Sequence, residues 1–327
     1  MNTATAEPRT LAPPERRVAR VVDNQALGSY RLLSAVDADG PDDPQPGQFY
    51  MLAAEARWGG GEAERPYLPR AFSYARARLE DAGLRLDFLL EAIGPGTERL
   101  AELEPGEGLA LVGPLGVGFR LPRPEGGGAS GAVPGPAGRA PATAGRAPAR
   151  RARARAAAGR PLLVGGGIGA APLVCLSEAL GECRVMLGFR SREFAAAAEL
   201  FPDDPALATD DGSAGRRALV TELLLEALQG DPSLRGNRGS RATGNRDSRA
   251  TVYACGPPPM LEAVRALCAE RGVPAQLALE SGMACGFGAC FGCVAPTRDG
   301  YLRLCLDGPV LDAARLESAL FPGAGHS

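Results

Sequence analysis

Leu162-Leu163-Val164-Gly165-Gly166-Gly167-Ile168-Gly169-Ala170-Ala171-Pro172 runs from three apolar residues through a glycine turn into a second apolar stretch that continues to Leu180. The short apolar run ahead of a glycine turn reads as a buried strand, and Ala171 to Leu180 then reads as a helix. Gly165, Gly167 and Ala170 satisfy G-x-G-x-x-G/A, which lets backbone N–H groups and the helix start approach a pyrophosphate; Gly166 and Gly169 lie in the same turn. A glycine turn that only packs a helix against a sheet fits the same residues.

Downstream, strands are expected at Arg184 to Phe189 and Thr251 to Ala254, and helices at Leu219 to Leu228 and Pro258 to Arg271. Alternating strands and helices predict a doubly wound α/β domain over 161–274. Tyr253-Ala254-Cys255-Gly256-Pro257-Pro258 ends a strand ahead of a helix, at the edge where such sheets bind ligands. Cys255, Gly256 and Pro257 join the candidate nucleotide site, although a proline at a helix start has a structural use as well. After the second strand comes Arg190 rather than the acidic residue that suits a free ribose 2'-hydroxyl, so the residues alone leave NAD and NADP open. The octamer Gly236 to Thr243 is nearly repeated by Gly244 to Thr251, which makes the loop insert at 232–250 a polar loop expansion rather than part of a solenoid.

Upstream, residues 17–122 hold short alternating runs broken by Gly and Pro, such as Arg17 to Val22 and Gln48 to Leu52, which predict a small antiparallel barrel. Between them and the α/β domain, 123–160 is built almost wholly of Gly, Ala, Pro and Arg and reads as a disordered insert. Residues 1–16 and 313–327 read as tails. In the barrel, Arg70-Ala71-Phe72-Ser73 begins a strand and Gly94-Pro95-Gly96-Thr97 precedes a helix expected at Glu98 to Leu103. An arginine and a helix-start turn can each hold a phosphate, but read by themselves a surface arginine and an ordinary turn are the default.

The segment 275–312 is too short for an ordinary core and contains four of the eight cysteines, Cys285, Cys290, Cys293 and Cys305. Their spacing is C-x4-C-x2-C-x11-C, whose first three members match the ligand run of plant-type [2Fe-2S] ferredoxins. Glycines beside the ligands suit a loop that wraps a cluster and turns N–H groups to its sulfurs. A four-cysteine zinc site and a Cys290/Cys293 redox pair are the competing readings. Cys175, Cys183 and Cys268 stand alone and read as core residues.

A formal net charge of -2 offers no face for a polyanion, so nucleic acid is not an expected partner. No stretch has the roughly 18 to 20 apolar residues of a membrane span, and Met1 to Arg20 lacks a signal-peptide core. A cytoplasmic protein without a disulfide framework is expected.

In this order, Arg70 to Ser73, Gly94 to Thr97, Gly165 to Gly169, Cys255 to Pro258 and the terminal cysteines resemble the ferredoxin-NADP reductase superfamily. Leu279-Glu280-Ser281-Gly282-Met283-Ala284-Cys285 is similar, more closely, to electron-transfer subunits of the NAD-dependent, two-subunit dihydroorotate dehydrogenases. Gly188 to Arg192, Thr209 to Ser213 and Cys305 to Val310 are similar to the same subunits. The resemblance implies a multidomain α+β protein with an FAD-binding antiparallel β-barrel, an NAD-binding doubly wound α/β domain and a small C-terminal [2Fe-2S] domain. It implies that Arg70 and Ser73 hold FAD, with Leu89, Leu90, Glu91, Gly96 and Thr97 adding contacts. At Ala71, Phe72 and Glu91, where the family often carries other side chains, main-chain contacts are implied.

It further implies electrons passing from an FMN-containing catalytic subunit through [2Fe-2S] and FAD to NAD+, in pyrimidine (UMP) biosynthesis, in a heterotetramer of two chains of each kind. Cluster, flavin and nicotinamide motifs in one chain support each other, because a one-electron centre and a hydride carrier need a converter between them. No side chain is expected to act as an acid or base, and His326 is expected to be inert. A subunit of a ferredoxin- or sulfur-linked NAD(P)H oxidoreductase is the alternative.

Overall fold

The structure, a computed structural model, describes residues 15–41, 43–56, 58, 68–122, 161–230 and 250–325. The expected N-terminal tail, apart from its last two residues, the 123–160 insert, the loop expansion up to 249 and His326 lie outside the described residues.

Six strands, β1 (Arg16–Leu27), β2 (Tyr30–Asp37), β3 (Phe49–Ala54), β4 (Arg70–Glu80), β5 (Gly83–Leu90) and β6 (Gly108–Leu115), form a closed barrel in the order β1-β2-β5-β4-β3-β6. Pairing of β1 with β6 completes the ring, which removes the open edges of a sheet. Alternation sends Leu84, Leu86 and Phe88 of β5 into a core shared with Tyr50, Leu52 and Tyr74. Helix α1 (Pro95–Ala101) packs Leu100 into the same core, with Leu103 just beyond it. It begins earlier than the expected Glu98 because Pro95 fits a first helical turn and Thr97 Oγ1 accepts from Gly94 N at 3.1 Å.

The second sheet is built from β7 (Leu162–Gly166), β8 (Arg184–Phe189), β9 (Ala206–Thr209), β10 (Arg216–Arg217), β11 (Val252–Cys255) and β12 (Ala275–Ala278). A separate hairpin, β13 (Val294–Thr297) and β14 (Gly300–Arg303), follows; β15 (Val310–Asp312) then returns to the sheet edge, antiparallel to β12. The order β10-β9-β8-β7-β11-β12-β15 reverses direction between β7 and β11. Leu162 and Val164 face a core with α3 (Val220–Gly230) and α4 (Pro258–Arg271), while Leu163 faces α2 (Ala171–Leu180) on the other side. Both faces are covered, which is why the strand reads as an unbroken apolar run.

Barrel and sheet are packed together through α2, which is buried on most sides because it lies between them. Cys175 belongs to the barrel core, and Glu178 pairs with Arg76 of β4 at 2.9 Å. Cys268 is buried as expected, whereas Cys183 is only half-buried.

Two expected boundaries differ. The segment 275–312 is not separate from the α/β domain, because its β12 and β15 complete that domain's sheet. Nor is 313–325 a loose tail: Leu316, Ala319 and Phe321 are buried, and Glu262 of α4 accepts from Ala319 N at 2.6 Å and Ser318 Oγ at 3.1 Å. A few spaced apolar residues are enough to dock a chain end when a helix offers it a hydrogen-bonding carboxylate.

Candidate functional site

The reversal between β7 and β11 opens a crevice at the strands' carboxyl ends, and the two glycine-containing motifs meet there. A Cβ on Gly169 would lie 2.5 Å from the carbonyl carbon and oxygen of Cys255, so the approach requires glycine. The turn differs in detail from the sequence expectation: Gly167–Ala170 forms a 3-10 turn before α2 begins.

Two clefts flank this contact. The first is walled by Ala71, Phe72, Ser73 and Leu89 from the barrel, Gly169 and Cys255 from the sheet, and Leu279 to Ser281 with Met283 from the segment leading to the cysteines. Burial, with the charge of Glu280 adding to it, pushes the Cys255 thiol up and keeps it neutral. Ser281 Oγ is buried without a hydrogen-bond partner among the described residues. Its main chain is held by a bridge to Ala324, and Gly325 N donates to Glu280 O at 3.0 Å.

The second cleft is lined by Gly166, Gly167, Gly256 and Pro257, and across from them by Tyr30, Glu91, Arg190, Phe194 and Asp210. The end of the chain, Leu320 to Gly325, contributes another wall. Nothing in the local sequence marked Tyr30, Phe194 or that wall, because only the docking of barrel, sheet and chain end brings them together.

Other candidates lie elsewhere. Gly165 is packed beneath the turn, where a Cβ would come 2.6 Å from Leu187. Leu90 is in the barrel core. Arg70 lies over the Gly96 turn, whose added Cβ would be 2.7 Å from the Arg70 Nε. The hydroxyl of Thr97 is used within its own turn, accepting from Ile93 N and Gly94 N. Glu91 lines the second cleft, not the first.

The four cysteines lie on the loop before β13 and on a helical turn, Leu304–Asp307. Gly286 and Gly288 have φ of 79° and 85°, and a Cβ on Gly288 would come 2.4 Å from Leu306. Cys293 Sγ and Cys305 Sγ are 3.2 Å apart and buried, and Cys305 N donates to Cys293 Sγ. Burial raises Cys285, but main-chain hydrogen bonds from Cys290 and Phe287 and the Cys290 side chain outweigh it, holding that thiol at about 7. Burial and the neighbouring Cys293 push Cys305 up to about 12. Two thiolate sulfurs 3.2 Å apart repel each other unless a cation joins them, which is the chemistry of a soft-metal site.

Among the described residues no three His, Cys, Asp or Glu side chains converge on one ion. The cysteines associate instead as Cys285 with Cys290 and Cys293 with Cys305. Two such pairs are compatible with one pair of ligands on each iron of a two-iron cluster.

A closed barrel joined to a doubly wound sheet, with clefts at the reversal and a four-cysteine loop beside them, defines a reductase-type electron-transfer fold carrying an iron-sulfur segment. The same fold occurs in a solved NADH-dependent reduced ferredoxin-NADP oxidoreductase, with a TM-score of 0.65 at 19% identity over 92% of this chain and 90% of that one. Residues 280–317 match the family model for the iron-sulfur cluster binding domain of dihydroorotate dehydrogenase B. The electron transfer subunit of dihydroorotate dehydrogenase B (NAD(+)) from Geobacillus thermodenitrificans is 32% identical over 83% of this chain and 86% of its own length. The corresponding subunit from Caldanaerobacter subterraneus is 28% identical over 93% of this chain and 98% of its own. The chain belongs to the family of dihydroorotate dehydrogenase B (NAD(+)) electron transfer subunits. It is therefore one part of an oxidoreductase whose catalytic subunit is a separate chain. Among the described residues no helix is long and apolar enough to cross a membrane.

Proposed function

We propose that this chain carries electrons from an FMN-containing dihydroorotate-oxidising subunit to NAD+, using a [2Fe-2S] cluster and FAD, in an assembly of two chains of each kind serving pyrimidine synthesis in the cytoplasm. The observation that carries this reading is the first cleft, where barrel, glycine turn and the approach to Cys285 share one wall.

Bound there, FAD and the cluster supply conversion between hydride transfer and single-electron transfer. The chain's residues bind, orient and insulate. Arg70, beside the Gly96-Thr97 turn, would offer a guanidinium to a phosphate of FAD; Ala71, Phe72 and Leu89 would border its ring, and Ser73 would present a hydroxyl. Backbone N–H groups at Gly166, Gly167 and Gly169 and the strand end at Cys255, Gly256 and Pro257 receive the dinucleotide. The neutral, buried Cys255 thiol adds polarisable bulk without charge. Cys285, Cys290, Cys293 and Cys305 hold the irons. Cys290 is exposed, and Phe287 and Phe291 on the same loop are exposed as well, apolar groups suited to a partner protein.

The test uses the cofactor-loaded chain with and without its partner. Alone it should oxidise NADH with an artificial electron acceptor and leave dihydroorotate untouched; adding the partner should connect dihydroorotate to NAD+. Oxidation of dihydroorotate by this chain alone would overturn the proposal.

A further inference from the structure

Arg190 follows β8, at the position whose side chain meets the adenosine ribose in a doubly wound dinucleotide site. An acidic residue there suits NAD, and an arginine accommodates the 2'-phosphate of NADP. The chain thus carries the NADP-type residue while its relatives are named for NAD(+).

The arginine is not free. Its guanidinium lies 2.5 Å from a carboxylate oxygen of Glu91 and stacks 4.1 Å from the centroid of Phe194, which meets Tyr30 edge-on at 5.5 Å. Glu91 stands just beyond β5 of the barrel, so the ion pair spans the two domains. Both partners line the second cleft, and Glu91 is the more enclosed, its side chain 21% exposed against 64% for Arg190. Asp210 adds a second carboxylate to the lining.

We infer that Glu91 is a cofactor-selecting residue: delivered from the barrel, it neutralises Arg190 and places negative charge where a 2'-phosphate would need to sit. This rests on the reading of the second cleft as the adenine-nucleotide site. A 2'-phosphate would have to displace the carboxylate from its partner or lie beside it, a like-charge contact that disfavours binding. A 2'-hydroxyl meets no such barrier, since a carboxylate accepts its hydrogen bond. The acidic group that the sheet lacks at the end of β8 is thereby supplied from outside it. Stacking on Phe194 fixes the guanidinium plane, so removal of the carboxylate leaves an oriented cation rather than a wandering one.

The test compares binding of 5'-AMP and 2',5'-ADP by calorimetry to the FAD-loaded chain, with Glu91→Gln, Arg190→Ala and the double variant alongside. These probes lack nicotinamide, so the readout does not depend on electron transfer. Glu91→Gln should strengthen 2',5'-ADP binding relative to 5'-AMP by about tenfold, equivalent to about 1.4 kcal/mol, and the double variant should lose that gain. The gain should also shrink with added salt. An unchanged ratio in Glu91→Gln, or a gain that persists without Arg190, would overturn the inference while the cleft assignment stands. Failure of the unaltered chain to bind either probe would overturn both.

Discussion

Gly169 decides how closely β7 and β11 can approach, because the space a Cβ would occupy is filled by the carbonyl of Cys255. A methyl group there must part the two strand ends. Gly169→Ala should cost about 1–3 kcal/mol of stability. It should weaken NAD+ binding at least tenfold, by disturbing both clefts at once. Chemical denaturation and NAD+ titration of the FAD-loaded variant check this; wild-type values in both would show that the contact has no such role. At this scale the sequence was informative where chemistry is local. The glycine turn, the Cys-Gly-Pro corner and the cysteine spacing announce themselves within a few residues of one another. Gly165 and Leu90 show the limit: a motif position does not reveal whether its atoms face a ligand or the core, and here both face inward. Glu91 and Arg190, ninety-nine positions apart, become one feature only when the barrel docks.

Strand and helix positions in the α/β half were legible because periodicity and glycine punctuation agree there: α2 and α4 occupy the expected ranges. The chain end was not. Its apolar residues are few, and part of what docks it is a pair of hydrogen bonds to Glu262 on another element. Arg265, first, and then Ala319 N and the Ser318 hydroxyl hold the Glu262 carboxyl at about 2 against an ordinary 4.5, with burial opposing them. A carboxyl lowered on folding stabilises the fold above its unfolded value, and that contribution fades as pH falls from about 4.5 through about 2. Because solvent reaches the pair, its worth is about 1 kcal/mol. Glu262→Gln should therefore be less stable than wild type at pH 7 by about that amount, with the difference closing as pH drops below 4.5. Denaturation curves at several pH values check the sign, and a gap that widens on acidification would contradict it. Loosening 316–325 should also slacken a wall of the second cleft and the bridge to Ser281.

Across the whole molecule, the cysteine loop is not an appended module but an excursion from the sheet, leaving after β12 and returning at β15. A Cβ on Gly286 would come 2.5 Å from Met51 of the barrel, so the loop is pressed against both larger parts. Within the loop Cys290 is exposed, Cys293 and Cys305 are buried, and Met283, two residues before Cys285, lines the first cleft with Ser73 and Cys255. Composition could indicate three regions but not that two of them share a sheet, since β12 and β15 are each only a few residues long and pair across the cysteine loop.

In the proposed route, electrons from the partner enter through the cysteine loop and reach NAD+ by way of the first cleft. That route is tested most directly by following the visible bands of the assembled complex under argon, for the unaltered chain and for Cys290→Ser. Dihydroorotate should bleach cluster and flavin together in the unaltered complex. In Cys290→Ser it should leave this chain's flavin oxidised, whereas NADH should still bleach that flavin at close to the original rate. Reduction of that flavin by dihydroorotate at an undiminished rate in Cys290→Ser would contradict the claim.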